Sequence, residues 1–411
     1  MSPYAARALP MSVIVPTHNR SASLQRLLGA LASQAADEHG VAPARFEVIV
    51  VADGCQDDTV AMLQESLRAG VWPFAVKLIE QSPARGAGIA RNMGAAQASG
   101  RTLVFVDDDI EPFPTMLAEH DRRHAAAVAR GASEVRGDPL LLIGAPVPVR
   151  TSDNSFQRIA AWGWWEQQFE AMSSPGHRFT YDQVFTGVLS MPAALFHGVG
   201  GFDALLGDCH EDSELGLRLF RAGARVEFAR AAGGLHHELR NITQLLTRKE
   251  AEGRADVRIL ERAPELVYDL RIAEEAPPAR SWLALVRRTA FRTMARSERL
   301  SPLALRLWLR LLALLERWRW RASWRFLHGA ILTRSYWRGA AAEVGTSAKL
   351  ASLVAESHEG WQRWFERARH VTVDLELGLE AAERLLDANR PDWITVRFGH
   401  YVVGSSRAQA S

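Results

Sequence analysis

Over the first 110 residues, short β-branched runs alternate with stretches whose apolar residues recur every three or four positions, the βαβ pattern of a mostly parallel sheet covered by helices. The runs MSVIVPT (11–17), FEVIVVAD (46–53), FAVKLIEQ (74–81) and TLVFVDDD (102–109) predict four successive strands. Between them, residues 23–33, 57–69 and 88–98 carry helical spacing with Ser, Asp or Gly near their starts, which predicts three helices. An open α/β sheet of this kind collects its ligand-binding groups at the carboxyl ends of the strands.

From about Pro114 the alternation weakens. LLLIGAPVPV, the aromatic AAWGWWEQQFE and FTGVLSMPAALF precede a predicted helix over 211–222, a second half suited to the acceptor side of a cleft. After Ala276-Pro277-Pro278 the composition turns to Leu, Arg and Trp, which predicts a boundary there. VTVDLEL, LEAAERLLDANR and WITVRF then predict a small terminal β-α-β unit. The expected division is a catalytic α/β domain over 1–275, a helical Arg/Trp/Leu-rich extension over 276–345 and a small α/β unit over 346–411.

The chain has 411 residues, 47% of them hydrophobic and 23% charged, the ordinary balance of a globular protein. Cys55 and Cys209 are too few for a disulfide framework, and MSPYAARALP lacks the apolar core of a secretory signal, so a cytoplasmic protein is expected. The net charge of +2 hides an asymmetry: residues 280–338 hold fourteen arginines against Glu298 and Glu316. Arg306, Arg310 and Arg317 also interrupt the most apolar region, so no bilayer-spanning helix is expected.

The chemistry concentrates where strands end. VFVDDDIEP places Asp107, Asp108 and Asp109 directly after an apolar strand. Three crowded carboxylates repel one another unless a cation is present, and hard divalent cations in phosphate chemistry are held by one or two carboxylates plus the substrate's diphosphate. Strand alternation would put Asp107 and Asp109 on one face and turn Asp108 away. A solvated acidic turn is the plainer alternative.

VIVPTHNR ends the first strand with Pro16, Thr17, Asn19 and Arg20, and Asp53 ends the second beside Gly54, so both deliver polar groups to one sheet edge. A carboxylate at Asp53 could accept a hydrogen bond from a nucleobase imide, whereas Asp57 and Asp58 are better placed to start the next helix. ARGAGIARNMG supplies Arg85 and Arg91 among glycines, a composition suited to phosphate or base recognition. No G-x-G-x-x-G follows the first strand, which argues against a dinucleotide-binding fingerprint.

In this order and spacing, the segments over roughly 11–260 resemble the family-2 glycosyltransferases and their GT-A fold, whose pattern is VPT-N, D-G-S-D-D-T, R-G-ARN-G and an acidic D-x-D. Ala52 departs from that pattern where a further acid is common, and Cys55 replaces the usual serine. The resemblance implies an inverting transfer from a nucleoside-diphosphate sugar, with a uridine nucleotide favoured, assisted by manganese or magnesium. It implies that Pro16, Thr17, Asn19, Arg20, Asp53, Arg85, Arg91 and Asp107 line the nucleotide, and that Asp107 and Asp109 face the metal. Glu211-Asp212, at the start of a predicted helix, matches the family's acidic pair, and Asp212 is by resemblance the base that deprotonates the acceptor hydroxyl; helix capping is its ordinary role and can coexist. His236 or His237, in LHHELR, corresponds to the histidine that completes the metal site or meets the diphosphate in many members, with Arg240 a further phosphate candidate.

Trp162, Trp164 and Trp165 could stack on sugar rings or fill a core. In the C-terminal region Ser301-Pro302 suits a helix start, and Arg306, Arg310, Arg317 and Arg321 fall on one stripe at about 100° per residue. Two readings stay open there: packing of a helical hairpin, or in-plane contact through 280–340 with the inner face of a membrane. The acceptor could be a glycan, a lipid-linked species or a small molecule. A nucleotidyltransferase would call for a glycine- and lysine-rich loop after the first strand, which VPTHNRSASL lacks, and a non-catalytic carbohydrate-binding protein would need neither the acidic triplet nor the Glu-Asp pair. Nucleic-acid binding is disfavoured because Leu and Trp interleave the arginines.

Overall fold

The computed structural model describes residues 11–34, 46–131, 138–150, 153, 155–204, 206, 209–237, 241–267, 270–272, 302–389 and 391–407. The chain divides into two compact units, Met1–Leu239 with the last residue, and Arg240–Ala410. The boundary expected at 275/276 lies outside the described residues. The observed division falls earlier because the helix that opens the second unit packs on that unit's own helices.

The first unit is built on an eight-stranded sheet of order β3-β2-β1-β4-β7-β6-β8-β5. Strands β1 (Met11–Thr17), β2 (Phe46–Asp53), β3 (Ala75–Gln81) and β4 (Thr102–Val106) run parallel, linked by α1 (Ser21–Ala32), α2 (Thr59–Ala69) and α3 (Ala87–Ala96). All four predicted strands and all three predicted helices form. Beyond β4 the sheet turns mixed. β5 (Ile110–Pro112), α4 (Met116–Ala129), β6 (Leu140–Pro148), α5 (Phe156–Ser173), β7 (Val188–Pro192), α6 (Ala193–Gly198), α7 (Glu211–Arg221) and β8 (Arg225–His236) follow in order, with β7 antiparallel to β4 and β6, and β8 parallel to β6.

Alternation within the buried strands divides the core. Val13 and Val15 of β1 with Val104 and Val106 of β4 meet Leu24, Leu27 and Leu28 of α1, whereas Ile14, Leu103 and Phe105 meet Phe196, Phe202 and Leu215 on the other face. Both faces are covered, which is why these strands are continuous apolar runs. Helix α3 lies so close to β1 that a Cβ on Gly94 would stand 2.6 Å from Ile14 Cγ2. That approach fixes where α3, and therefore Arg91, sits against the strand ends.

In the second unit α8 (Ile242–Arg262), α9 (Pro302–Arg317), α10 (Arg321–Val344) and α11 (Ser347–Arg367) precede a three-stranded sheet of β9 (His370–Asp374), β10 (Trp393–Phe398) and β11 (Tyr401–Arg407), with α12 (Leu379–Asn389) linking β9 to β10. The predicted β-α-β unit is present, extended by β11, which pairs antiparallel with β10 through a turn containing Gly399 at φ 59°. Helices α8 and α10 cross tightly, since a Cβ on Gly253 would lie 2.0 Å from the Tyr336 carbonyl oxygen. Buried Tyr336 also donates a hydrogen bond to Asp256. Among the described residues no helix is long and apolar enough to cross a membrane.

Candidate functional site

The carboxyl ends of β1, β2 and β4 gather most of the residues that carried the sequence argument. At the end of β2, Gly54 adopts φ 69° and its amide donates to the Gln81 carbonyl at 2.7 Å. This turn brings the 81–86 segment beside Asp53, whose two carboxylate oxygens accept the backbone amides of Arg85 at 2.8 Å and Gly86 at 2.7 Å. Asp53 therefore holds the start of α3, and each oxygen keeps a second lone pair for a ligand. The Arg85 side chain is exposed.

At the end of β1 the chain passes through Asn19 at φ 53°, a left-handed conformation that asparagine tolerates better than most residues. Its side-chain oxygen accepts the amides of Gln56 at 2.6 Å and Asp57 at 3.2 Å, tying the β1 and β2 loops together. Asp57 in turn accepts the Thr59 amide at 3.0 Å at the start of α2, as expected. Pro16 and Thr17 are buried within β1, and the Thr17 hydroxyl donates to Asp108 Oδ2 at 2.7 Å.

The acidic triplet departs from strand alternation. Strand β4 ends at Val106, and the Ile110 amide donates to the Asp107 carbonyl at 3.0 Å, so residues 107–110 form a turn. In consequence Asp108 and Asp109, expected on opposite faces, converge on Arg20: its Nη1 lies 3.1 Å from Asp108 Oδ1 and 2.6 Å from Asp109 Oδ2. Asp107 turns elsewhere, to Arg91 Nη2 at 2.6 Å. The two buried acids are driven in opposite directions. Burial pushes Asp108 up to about 6 against the pull of Arg20 and Thr17. Asp109 is desolvated too, but His236 and Arg20 outweigh burial and hold it at about 2.

The paired histidines separate by strand direction. His236 ends β8, and its Nε2 lies 3.5 Å from Asp109 Oδ1, a buried oxygen that makes no closer polar contact among the described residues. His237 turns away, placing Nε2 2.7 Å from Glu111 Oε2 while its amide donates to the Asp109 carbonyl at 2.9 Å. Trp165 of α5 packs edge-on against His236 with ring centroids 6.3 Å apart, and Trp164 is 46% exposed. Arg240 lies outside the described residues.

Helix α7 begins at Glu211, as predicted, after His210 in the left-handed region at φ 60°. Glu211 is buried and lies 3.3 Å from Arg91 Nη1. Arg91, itself only 3% exposed, thus clamps the start of α7 to the acidic turn, and its guanidinium lies 5.4 Å from the Phe202 ring centre. Burial would favour losing the proton, but Asp107 and Glu211 hold the guanidinium charged. Read from sequence as a nucleotide contact, Arg91 is committed to two carboxylates. Asp212, half-buried beside Glu211, accepts the Ser213 amide on Oδ1 at 2.8 Å.

The buried His120 and His124 of α4 escaped sequence reading altogether. His120 Nδ1 and His124 Nε2 each lie 2.7 Å from Ser190 Oγ of β7, and His120 Nε2 lies 3.0 Å from the Ala232 carbonyl. A carbonyl only accepts, so neutral His120 carries its proton on Nε2 and receives the Ser190 hydroxyl proton at Nδ1, which obliges His124 Nε2 to donate to Ser190. The spacing His-x-x-x-His on one helix face was the available signal.

Residues 12–120 match a family profile described as glycosyl transferase family 2, and residues 166–242 match one described as the N-terminal domain of galactosyltransferase. A validoxylamine A glucosyltransferase of Streptomyces hygroscopicus subsp. limoneus is 31% identical over 252 residues, covering 57% of this chain and 53% of the relative. A dolichyl-phosphate beta-glucosyltransferase of Drosophila melanogaster is 39% identical over 137 residues, covering 33% of this chain and 40% of the relative. The chain thus spans about half the length, or less, of these curated relatives. A mannosyltransferase from Pyrobaculum calidifontis, solved with GDP-Man and Mn2+, shares the fold with a TM-score of 0.50 at 17% identity, covering 81% of this chain and 88% of that one.

Proposed function

Because this chain belongs to glycosyl transferase family 2, we propose that its first unit moves a sugar from a nucleoside-diphosphate sugar to a hydroxyl acceptor by a single inverting displacement. The observation that carries this reading is the joining of two elements far apart in sequence. The acidic turn at the end of β4 and the Glu211-Asp212 start of α7 are linked through one buried guanidinium, which sets a donor-side carboxylate group beside a candidate base. The glucosyl transfer named for the relatives above points to a hexosyl donor.

In this reading Asp53, with Thr17, Asn19 and Arg20 on the neighbouring loop, receives the nucleoside, and a uridine base matches an acceptor able to take its imide N–H. Asp107, the most exposed of the triplet, faces the nucleotide. Asp109 and His236 would hold a divalent cation, manganese or magnesium. Carboxylate oxygen suits either ion and the imidazole nitrogen favours manganese over magnesium, and the buried Asp109 Oδ1 beside His236 gives it a place. The substrate's diphosphate would complete the ion's coordination. When bound, the cation neutralises charge on the departing diphosphate.

Asp212 takes the acceptor's hydroxyl proton. The oxygen attacks the anomeric carbon as the bond to the diphosphate breaks, and the nucleoside diphosphate leaves with its electron pair. Asp212→Asn keeps size and much of the capping capacity, so kcat should fall by about 10²–10⁴ with nucleotide affinity nearly unchanged. Turnover and product configuration, measured with UDP-glucose and related donors plus manganese or magnesium, test the reading. Near wild-type turnover in the variant, or a product of retained configuration, would defeat it.

A further inference from the structure

The second unit exposes a helical hairpin whose surface divides by chemistry. Helix α9 carries three sectors when its positions are laid out at about 100° per residue. Leu312 and Leu315 fall on the sector that packs inward and are buried. Arg306, Arg310 and Arg317 line an exposed sector within roughly 40° of one another. Between the two lies a third sector, Leu307, Leu311, Leu314 and Trp318, spaced i, i+4, i+7, i+11 and exposed, with Leu307 at 64%.

The same arrangement continues past the bend. Arg319 takes φ 56°, and the helix breaks at 318–320, so the arginine stripe expected to run on through Arg321 restarts on a second helix. There Arg321 and Arg325 again lie beside an exposed aromatic, Phe326, at 81% exposure. The bend itself presents Trp318 and Trp320, both more than half exposed with ring centroids 5.1 Å apart. Over 302–329 six arginines face a single acid, Glu316. Arg306, Arg310, Arg317, Arg321 and Arg325 have no ion-pair partner among the described residues.

We propose that this hairpin is a docking surface for an anionic lipid bilayer, lying in the plane of the interface with the Leu/Trp stripe in the acyl boundary and the arginines against acidic headgroups. Two observations favour lipid over other partners. An apolar stripe flanked along its length by exposed arginines is complementary to a surface that is apolar beneath and anionic above. Tryptophans at the bend occupy the position where an amphipathic ring meets both environments. A helix of 16 residues spans only about 24 Å, which suits lying on a bilayer rather than crossing it. The proposal is independent of the transfer chemistry assigned to the first unit.

Vesicle sedimentation of the full chain tests it, with phosphatidylcholine vesicles containing one-quarter phosphatidylglycerol beside pure phosphatidylcholine. Wild type should sediment with the anionic vesicles, less so at high salt, with a blue shift of tryptophan emission. Arg306→Gln/Arg310→Gln/Arg317→Gln should lower the partition coefficient on the order of 100-fold. Leu307→Ser/Leu311→Ser/Leu314→Ser should remove the blue shift. These side chains are exposed, so both variants should keep the wild-type circular dichroism and melting temperature. No binding by wild type, or binding indifferent to both substitutions, would overturn the proposal. So would a dimer in sedimentation velocity that only the leucine variant dissolves, which would assign the stripe to a second copy, or tighter binding to duplex DNA than to vesicles.

Discussion

Replacing Arg91 by methionine removes the charge that bridges the acidic turn and α7 while keeping an unbranched apolar stem, though a shorter one. Glu211 would then be a buried carboxylate without its cation, and Asp107 would lose a 2.6 Å partner. Breaking a buried pair from one side costs about 3–5 kcal/mol, because the remaining charge stays desolvated. Loss at the upper end of that range would unfold a marginal domain, so Arg91→Lys supplies the graded test. Its single ammonium cannot place separate donors on Asp107 and Glu211 as Nη2 and Nη1 do, and it should cost less than methionine. Adding Glu211→Gln to Arg91→Met should recover part of the loss, since the orphaned charge is gone. Urea unfolding of wild type, Arg91→Met, Glu211→Gln and the double variant gives the coupling, and nucleotide titration of the folded proteins, Arg91→Lys included, gives the functional readout. The lysine variant should lose kcat more than nucleotide affinity, because what moves is the start of α7 that carries Asp212. If Arg91→Met unfolds at the wild-type urea midpoint yet loses nucleotide affinity, the guanidinium serves the substrate directly and the clamp is refuted.

Asp109→Asn should abolish the extra thermal stabilisation that manganese adds to UDP or GDP while leaving the metal-free melting temperature within a few degrees; an unchanged manganese effect would remove Asp109 from the cation site. The buried histidine pair predicts an acid limit. Burial lowers His120 to about 4, and burial and then His120 lower His124 to about 3, both below an unfolded value near 6.5. The folded state therefore binds fewer protons, and the stability these groups contribute is present above pH ~6.5 and lost as pH falls toward those values. Urea unfolding should show about 1.4 kcal/mol lost per histidine between pH 7.5 and 5.5, and His124→Asn should halve the slope; an equal slope in the variant would exclude the pair as its source.

The donor-side strands were legible because their signal is local. A strand buried on both faces must be a continuous apolar run, and β1, β2 and β4 satisfy that within five to eight residues each, so the polar residues that follow are marked as strand ends. The start of α7 was legible for a similar reason, since two acids before an amphipathic stretch favour a helix N-terminus. What failed was geometry set by turns or by distant partners. Alternation assigned Asp108 and Asp109 to opposite faces, but it applies only while the chain stays extended, and the turn closed by Ile110 ends that regime at Val106. Arg91 carries no local sign that its partner lies 120 residues away, and a guanidinium between glycines suits phosphate recognition as well as an internal clamp. The helix packing inside the second unit was hidden in the same way. Gly253 and Gly339 let α8 and α10 cross in contact, and neither position is distinctive within its own helix.

The electrostatics of the acidic turn explain why two arginines are needed there. Three adjacent carboxylates, two of them nearly inaccessible to water, repel one another and call for cations nearby. Arg20 and Arg91 divide the load. The buried Arg91 takes Asp107 and Glu211 and is fixed by both, whereas Arg20 takes Asp108 and Asp109 with a side chain that is 40% exposed. A half-exposed guanidinium costs little to displace, because solvent screens the pair it leaves. In the proposed transfer, Arg20 is therefore the member of the cluster free to yield Asp109 to an incoming cation and turn toward a diphosphate, while Arg91 stays to hold α7. In that proposed transfer Asp109 suits the exchange, because an incoming cation supplies the positive charge that Arg20 gives it here beside His236.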